Sequence, residues 1–232
     1  MNLEDLKNKH DGERCFILGT GSSLNNTDLS LLKDEICFGV NVLYMGVEKF
    51  GIECKYYAVG DCGVWNNHYE GILNLDTICF VSEEISLTYP DTLNENCLVI
   101  KTLLSMWKYK MFSVDMTYGK FSGDNIIIDC LQEAFYLGFK TVYLVGCDWS
   151  FTGHFNDDRT HDTTKQFLET GDFKYSMDVK QRFAKSNMSC AVCKKIYEWN
   201  GRKIYNATVG GCLETFERVK LEDVIWKMSG SS

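Results

Sequence analysis

Apolar residues along this chain come in short, unalternating blocks: Cys15–Leu18, Ile36–Val40, Tyr56–Val59, Thr77–Val81, Leu98–Ile100 and Thr141–Val145. Blocks of that length predict strands buried on both faces. Between and after them the period changes. Asp28–Lys33 predicts a short helical turn. In Asp124–Leu137, Ile127, Leu131, Ala134 and Phe135 recur at helical spacing, Ser122 or Asp124 is placed to cap the start, and Gly138 is placed to end it. Asp178–Trp199 predicts an amphipathic helix, Lys203–Tyr205 a last short strand and Glu222–Met228 a terminal helix. Residues 101–121 are aromatic-rich without a clear period, and residues 150–177 are polar enough to predict a loop or lid. The alternation predicts an α/β class fold: a Rossmann-like, mostly parallel sheet with helices on both faces, plus a polar lid region. Residues 1–228 are expected to form one domain, with 229–232 a disordered tail.

Composition narrows the function classes. A length of 232 residues suits one sizeable core, and the formal charge of −8 argues against a nucleic-acid partner, which needs a basic face. No apolar run is long enough to span a bilayer, and the first residues lack the basic-then-apolar pattern of a signal peptide. Eleven cysteines, an odd number, point to reduced thiols and a cytoplasmic location. Cys190 and Cys193 form a C-x-x-C, but no second C-x-x-C or H-x-x-x-H completes a zinc site. Core packing is therefore expected there, and no metal site.

Ligands of parallel sheets bind beyond the carboxyl ends of the strands, and four such ends carry glycine or polar residues. The first is Gly19-Thr20-Gly21-Ser22-Ser23, a turn whose amides suit phosphate if it opens a helix; the alternative is a tight structural turn. It is not a full dinucleotide fingerprint, since Leu24 replaces the third glycine and Asn41 the acidic residue that would follow. Nor is it a P-loop, because no lysine follows. Asn41 itself suits a ribose, base or sugar contact, or an Asx turn. Asp61, after Gly60, suits a ribose, a metal or a helix cap. Gly146-Cys147-Asp148 ends the most apolar strand, and Asp148 would either bond the amides of a neighbouring loop or face a ligand. Ser122-Gly123 precedes the clearest helix, as a second candidate phosphate site or an ordinary cap. His154 and His161 lie in the polar segment and are candidate general bases; the alternatives are metal ligands with Asp157, Asp158 or Asp162, or residues of a solvated loop.

Several of these segments resemble one family group. Gly19-Thr-Gly-Ser-Ser-Leu24 resembles the G-x-G-P-S-L opening of bacterial sialyltransferases of glycosyltransferase family 42, and of the related domain of unknown function 115, which includes 6-hydroxymethylpterin pyrophosphokinase. Phe38-Gly-Val-Asn41, Phe121-Ser-Gly123 and Leu137-Gly-Phe-Lys-Thr-Val-Tyr-Leu-Val-Gly-Cys-Asp148 resemble later motifs in the same order. Ser22 replaces the family proline, and Ser150 stands where the sialyltransferases carry a tyrosine. The resemblance implies a nucleotide-sugar-binding domain and a glycosyltransferase of sialyltransferase-like, inverting type. It would move sugar from a CMP-sialic-acid-like or other nucleotide sugar donor to a glycan or lipid-linked glycan acceptor in bacterial surface polysaccharide synthesis, at the inner face of the membrane. Its nucleotide-binding residues would be Gly19–Ser23, Asn41, Asp61, Ser122, Gly123 and Gly146. Its catalytic residues would be His154, His161 and Asp148. No cofactor is implied. The alternatives are a Mg²⁺-dependent diphosphokinase acting with ATP on a hydroxymethylpterin-like alcohol, and a non-catalytic nucleotide-sugar-binding module. Assembly into a homo-oligomer is left open. Tyr205-Asn-Ala-Thr-Val-Gly-Gly211 with Leu213-Glu214 resembles a further family pattern without an assigned role.

Overall fold

A computed structural model describes residues 2–103, 111–122, 125–150, 154–155 and 173–229, with backbone alone for 173–183 and 226–229. In chain order the described elements are β1 (Arg14–Leu18), β2 (Cys37–Val40), α1 (Val47–Phe50), β3 (Tyr56–Val59), α2 (Cys62–Leu73), β4 (Ile78–Ser82), α3 (Glu83–Thr88), β5 (Cys97–Ile100), β6 (Thr102–Leu103), β7 (Lys120–Phe121), α4 (Ile126–Tyr136), β8 (Thr141–Val145), α5 (Phe173–Trp199), β9 (Lys203–Asn206), β10 (Glu217–Arg218) and α6 (Leu221–Ser229). Eight strands form one sheet in the order β10-β9-β8-β1-β2-β3-β4-β5, and β6 pairs β7 separately. Every pair in the large sheet is parallel.

The chain lays down β1 to β5 in one direction, then crosses back to place β8 on the other side of β1. That reversal makes the gap between β1 and β8 the switch point, where an α/β sheet opens a crevice at its carboxyl edge. The unalternating strands are covered on both sides, as their composition predicts. Cys15 and Ile17 of β1 face a core with Leu131 and Phe135 of α4 and Cys190, Cys193 and Tyr197 of α5. Phe16 and Leu18 face the opposite core with Trp65 and Ile72 of α2, Ile85 of α3 and Leu221 of α6.

The α/β class, the parallel sheet and helices on both faces are as expected from sequence. Details differ. Asn125 caps α4, its Oδ1 accepting the Ile127 N–H at 2.9 Å, in place of Ser122; Asp124 lies outside the described residues. Gly138 follows α4 with a left-handed φ of 97°, as expected. Helix α5 starts at Phe173 instead of Asp178, taking the last residues assigned to the lid; no glycine or proline interrupts the sequence from there to Trp199. Helices α2 and α3 and strand β10 were not anticipated. Helix α6 continues through Ser229, one residue past the expected boundary, and residues 230–232 are outside the described set.

All eleven cysteines are free. Cys190 and Cys193 are buried against α4, and burial pushes the Cys190 thiol up to about 12 and the Cys193 thiol up as well. They are inert core residues, as the missing second ligand pair implied. Among the described residues no helix is long and apolar enough to cross a membrane.

Candidate functional site

The crevice at the β1–β8 switch point holds a cavity of about 480 Å³. Its lining includes Gly19, Thr20, Gly21, Asn41, Asp61, Ser122, Gly146, Asp148 and His154 from the sequence expectations, together with Val40, Gly60, Asn125, Ile126, Ile127, Asp129, Cys147, Trp149 and Ser150. Ser22 and Ser23 sit behind this wall. Gly123 and His161, and most of the segment assigned to a lid, lie outside the described residues.

The glycine-serine turn is built differently from a phosphate cradle. It leads into a 3₁₀ helix of five residues, Ser22–Asn26, and not into an α-helix, so the helix-dipole expectation does not hold there. Three of its amides are already used. Gly19 N–H donates to Val145 O and Gly21 N–H to Gly146 O, both at 2.8 Å. Ser23 N–H donates to Asp148 Oδ2 at 3.0 Å, and the Ser22 hydroxyl donates to the same oxygen at 3.3 Å. The Ser23 hydroxyl donates to Asp148 Oδ1. Of the two roles expected for Asp148, the structure shows the bonding of a neighbouring loop, while the residue still lines the cavity.

The glycines follow from this closeness. A Cβ on Gly19 would overlap the Gly146 carbonyl, one on Gly21 the Asp148 carboxyl group, and one on Gly146, at φ 66°, the Leu24 side chain. The β8 end is braced from behind by the C-terminal family pattern. Cys147 N–H donates to Thr208 Oγ1 at 3.0 Å and Cys212 N–H to Asp148 O at 2.7 Å. Asn206 in turn donates to Leu213 O at 2.8 Å and accepts the Thr208 N–H at 3.0 Å. The pattern Tyr205–Gly211 with Leu213 is thus a buttress for the strand end that carries Asp148.

His154 is anchored over the turn. Its Nδ1 lies 2.7 Å from Thr20 Oγ1 and 3.2 Å from Thr20 O. A carbonyl oxygen only accepts, so a neutral ring that satisfies both contacts carries its proton on Nδ1 and has Nε2 as its basic nitrogen. Phe155 N–H donates to Thr20 O at 2.9 Å, and the Phe155 ring packs on Phe50.

Asn41 has a left-handed φ of 48°, a conformation that costs a non-glycine residue on the order of 1 kcal/mol. Tyr57 holds it there: its hydroxyl donates to Asn41 O at 2.8 Å and accepts the Tyr44 N–H at 2.8 Å. Gly39 makes room, since a Cβ there would overlap the Tyr57 ring. The Asn41 side-chain oxygen is buried with no hydrogen-bond partner among the described residues, so it does not make the Asx turn. Asp61 caps α2, its Oδ1 accepting the Val64 N–H at 2.9 Å, which realises the simpler of its expected roles at the cavity edge. Trp149, at φ 52°, donates from Nε1 to Asn187 Oδ1 of α5 at 2.8 Å.

Beneath the cavity lies a group that the sequence reading missed. Lys120 is 1% exposed, and its Nζ sits 3.0 Å from Asp129 Oδ2 and 2.9 Å from Glu133 Oε1. Asp129 reaches the cavity wall. Burial, offset in part by Lys120, pushes the Glu133 carboxyl up to about 7. Burial alone would lower Lys120, but the two carboxylates outweigh it and hold the ammonium above its ordinary range. The available signal was an acid inside the apolar run Ile126-Ile-Ile-Asp-Cys-Leu131, with a second one four residues on.

A second recess, of about 1050 Å³, lies between β8–β10 and the start of α6, lined by Tyr143, Tyr205, Arg218 and Leu221 among others. None of the expected site residues lines it.

The model of the family described as 6-hydroxymethylpterin diphosphokinase MptE-like matches residues 1–154. That is well over half of the chain, and the chain belongs to this family, as its motifs implied. Among solved structures the chain is similar to the MAf glycosyltransferase from Magnetospirillum magneticum AMB-1, with a TM-score of 0.57 and 12% identity over 92% of this chain and 34% of that one. At that identity the likeness is one of fold, and the chain spans about a third of that protein's length. No curated protein matches the chain.

Two outcomes test this geometry. Asp148→Asn weakens charge-assisted bonds worth roughly 1.5–3 kcal/mol each, so chemical denaturation is expected to show a loss of about that size. Ser23→Ala in the same background should then add little, because the two changes remove one interaction. For Glu133 the folded-state value is raised from 4.5 to about 7. Its contribution to stability is present below about 4.5 and lost as pH rises to about 7. Urea unfolding from pH 4.5 to 7.5 should therefore show Glu133→Gln gaining on the wild type as pH rises; parallel curves would contradict the assignment.

Proposed function

We propose that this member of the MptE-like family is a glycosyltransferase that binds a nucleotide-activated sugar in the β1–β8 cavity and transfers the sugar to a glycan acceptor. The observation that supports this most is the setting of His154. The ring lines the cavity at the sheet's switch point and is held through Nδ1, so that Nε2 would be the nitrogen to act on an acceptor hydroxyl. Deprotonating that hydroxyl as it attacks the anomeric carbon is the general-base step such a transfer needs. His161 is the second candidate base. Asn41, Ser122 and the start of α4 would hold the nucleotide, and Asp148 would set the turn that positions Thr20 and His154. The donor we favour is CMP-sialic-acid-like, with inversion at the anomeric carbon. The acceptor would be a glycan or lipid-linked glycan of surface polysaccharide synthesis. Eleven free cysteines support a reducing, cytoplasmic setting, and self-association remains compatible with this scheme.

One observation favours a second reading, a Mg²⁺-dependent diphosphokinase using ATP and a hydroxymethylpterin-like alcohol. The described lining carries Asp61, Asp129 and Asp148 and no lysine or arginine. A polyphosphate entering such a cavity would be helped by a divalent cation. The family description points the same way.

Thermal-shift screening of CMP-, CDP-, UDP- and GDP-sugars and ATP, each with Mg²⁺ or with EDTA, separates the two. The leading reading predicts stabilisation by a nucleotide sugar in EDTA, slow donor hydrolysis, and loss of hydrolysis in His154→Ala with binding kept. Stabilisation by ATP only, and only with Mg²⁺, would replace it with the second reading. Turnover undiminished in His154→Ala would remove the histidine from its role.

A further inference from the structure

The buried group below the cavity forms part of its inner wall through Asp129. Asp129 stands on the wall among aliphatic neighbours, with Val40, Ile126 and Ile127 in the same lining. Gly60 leaves the space beside it open: a Cβ there would come 3.5 Å from Asp129 Oδ2 and 3.6 Å from Ile126 Cδ1. Aliphatic walls ending in one fixed carboxylate form a slot suited to a planar ring with a hydrogen-bond donor on its edge. The residue itself is 9% exposed, so its oxygens have little access to water except through the cavity.

The group is short of donors. Among the described residues one ammonium serves two acidic side chains, and an ionised carboxylate such as that of Asp129 only accepts. Lys120 meets Asp129 through Oδ2, and no second donor meets Asp129 among the described residues. Glu133 Oε2 and the side-chain oxygen of Asn41 are also buried without a partner in that set. A phosphate placed against Asp129 would add negative charge beside two buried carboxylates. An N–H group placed there would supply what is missing.

We propose that Asp129 is the ring-selecting residue of the cavity, receiving an exocyclic amino group, so that the bound ligand carries an amino-bearing heterocycle rather than uracil or hypoxanthine. This rests on the reading of the cavity as a nucleotide site and adds the class of its ring. It also directs the phosphates away from α4 and Asp129, toward Thr20 and His154. Lys120 and Glu133 are positioning residues that hold the Asp129 carboxylate in place.

Calorimetric titration with three matched pairs tests the assignment: CMP against UMP, GMP against IMP, and AMP against IMP. The wild type is expected to bind the amino-bearing member of at least one pair about tenfold more tightly or better, the size expected when a built hydrogen bond is left unpaired. In Asp129→Asn, whose amide can also donate, that preference should fall to within about twofold or reverse. Nucleotides bound by the wild type without preference in any pair would overturn the inference and leave the nucleotide reading standing, and this comparison decides even if the variant fails to fold. A preference that survives in a folded Asp129→Asn would also overturn it. No binding of any of the five nucleotides would overturn both.

Discussion

The site depends on one carboxylate that joins the two halves of the sheet. Strands β1 and β8 are neighbours in space but lie on opposite sides of the chain's reversal, and their carboxyl ends must be fixed together before the crevice between them has a shape. Beyond the backbone bonds of Gly19 and Gly21 to the β8 end, Asp148 does this by accepting from the Ser22 and Ser23 hydroxyls and from the Ser23 amide. The close approach leaves no room for a Cβ at Gly19, against the Gly146 carbonyl, at Gly21, against the Asp148 carboxyl group, or at Gly146, against Leu24. It is held from the far side by Thr208 and Cys212. The long family motif ending in Gly146-Cys-Asp148, the glycine-serine turn and the C-terminal Asn-Ala-Thr pattern are therefore three parts of one mechanical joint.

Around that joint the molecule keeps features that folding alone does not favour. Asn41 and Trp149 adopt left-handed backbone conformations, and among the described residues no donor meets the buried Asn41 side-chain oxygen or Glu133 Oε2 of the ion group under the floor. Each is a local cost of the order of a kilocalorie or more, and each is held in place by surrounding structure: Tyr57 over Gly39, the α5 contact of Trp149, and Lys120 between its two acids. Asn8 and Thr77 Oγ1 apart, the described cases gather at this crevice, and none lines the second, larger recess.

The strands and α4 were legible because unalternating apolar blocks and a clean helical period each have one structural solution. Helix α2 was not, because its buried residues, Trp65 and Ile72, are separated by asparagines, a histidine and Gly71, whose missing Cβ serves the Tyr44 ring packed against it. The members of the site were largely legible as strand ends, since Gly19–Gly21, Asn41, Asp61, Gly146–Asp148 and His154 all converge on the cavity. Their division of labour was not. Whether turn amides face a phosphate or a neighbouring strand depends on β8, more than a hundred residues away in sequence. Asp129 was hidden because nothing in a helical stripe tells that a polar residue inside it both reaches a cavity and pairs with Lys120.

The fold is shared with a much longer glycosyltransferase, and the central claim for the present chain is that the cavity at its switch point binds the ligand. The most direct test of that claim is hydrogen–deuterium exchange with and without a saturating nucleotide or nucleotide sugar. The account predicts that new protection concentrates in peptides covering residues 19–24, 41–46, 125–131 and 146–150. Protection centred instead on residues 203–224, beside the second recess, would contradict it.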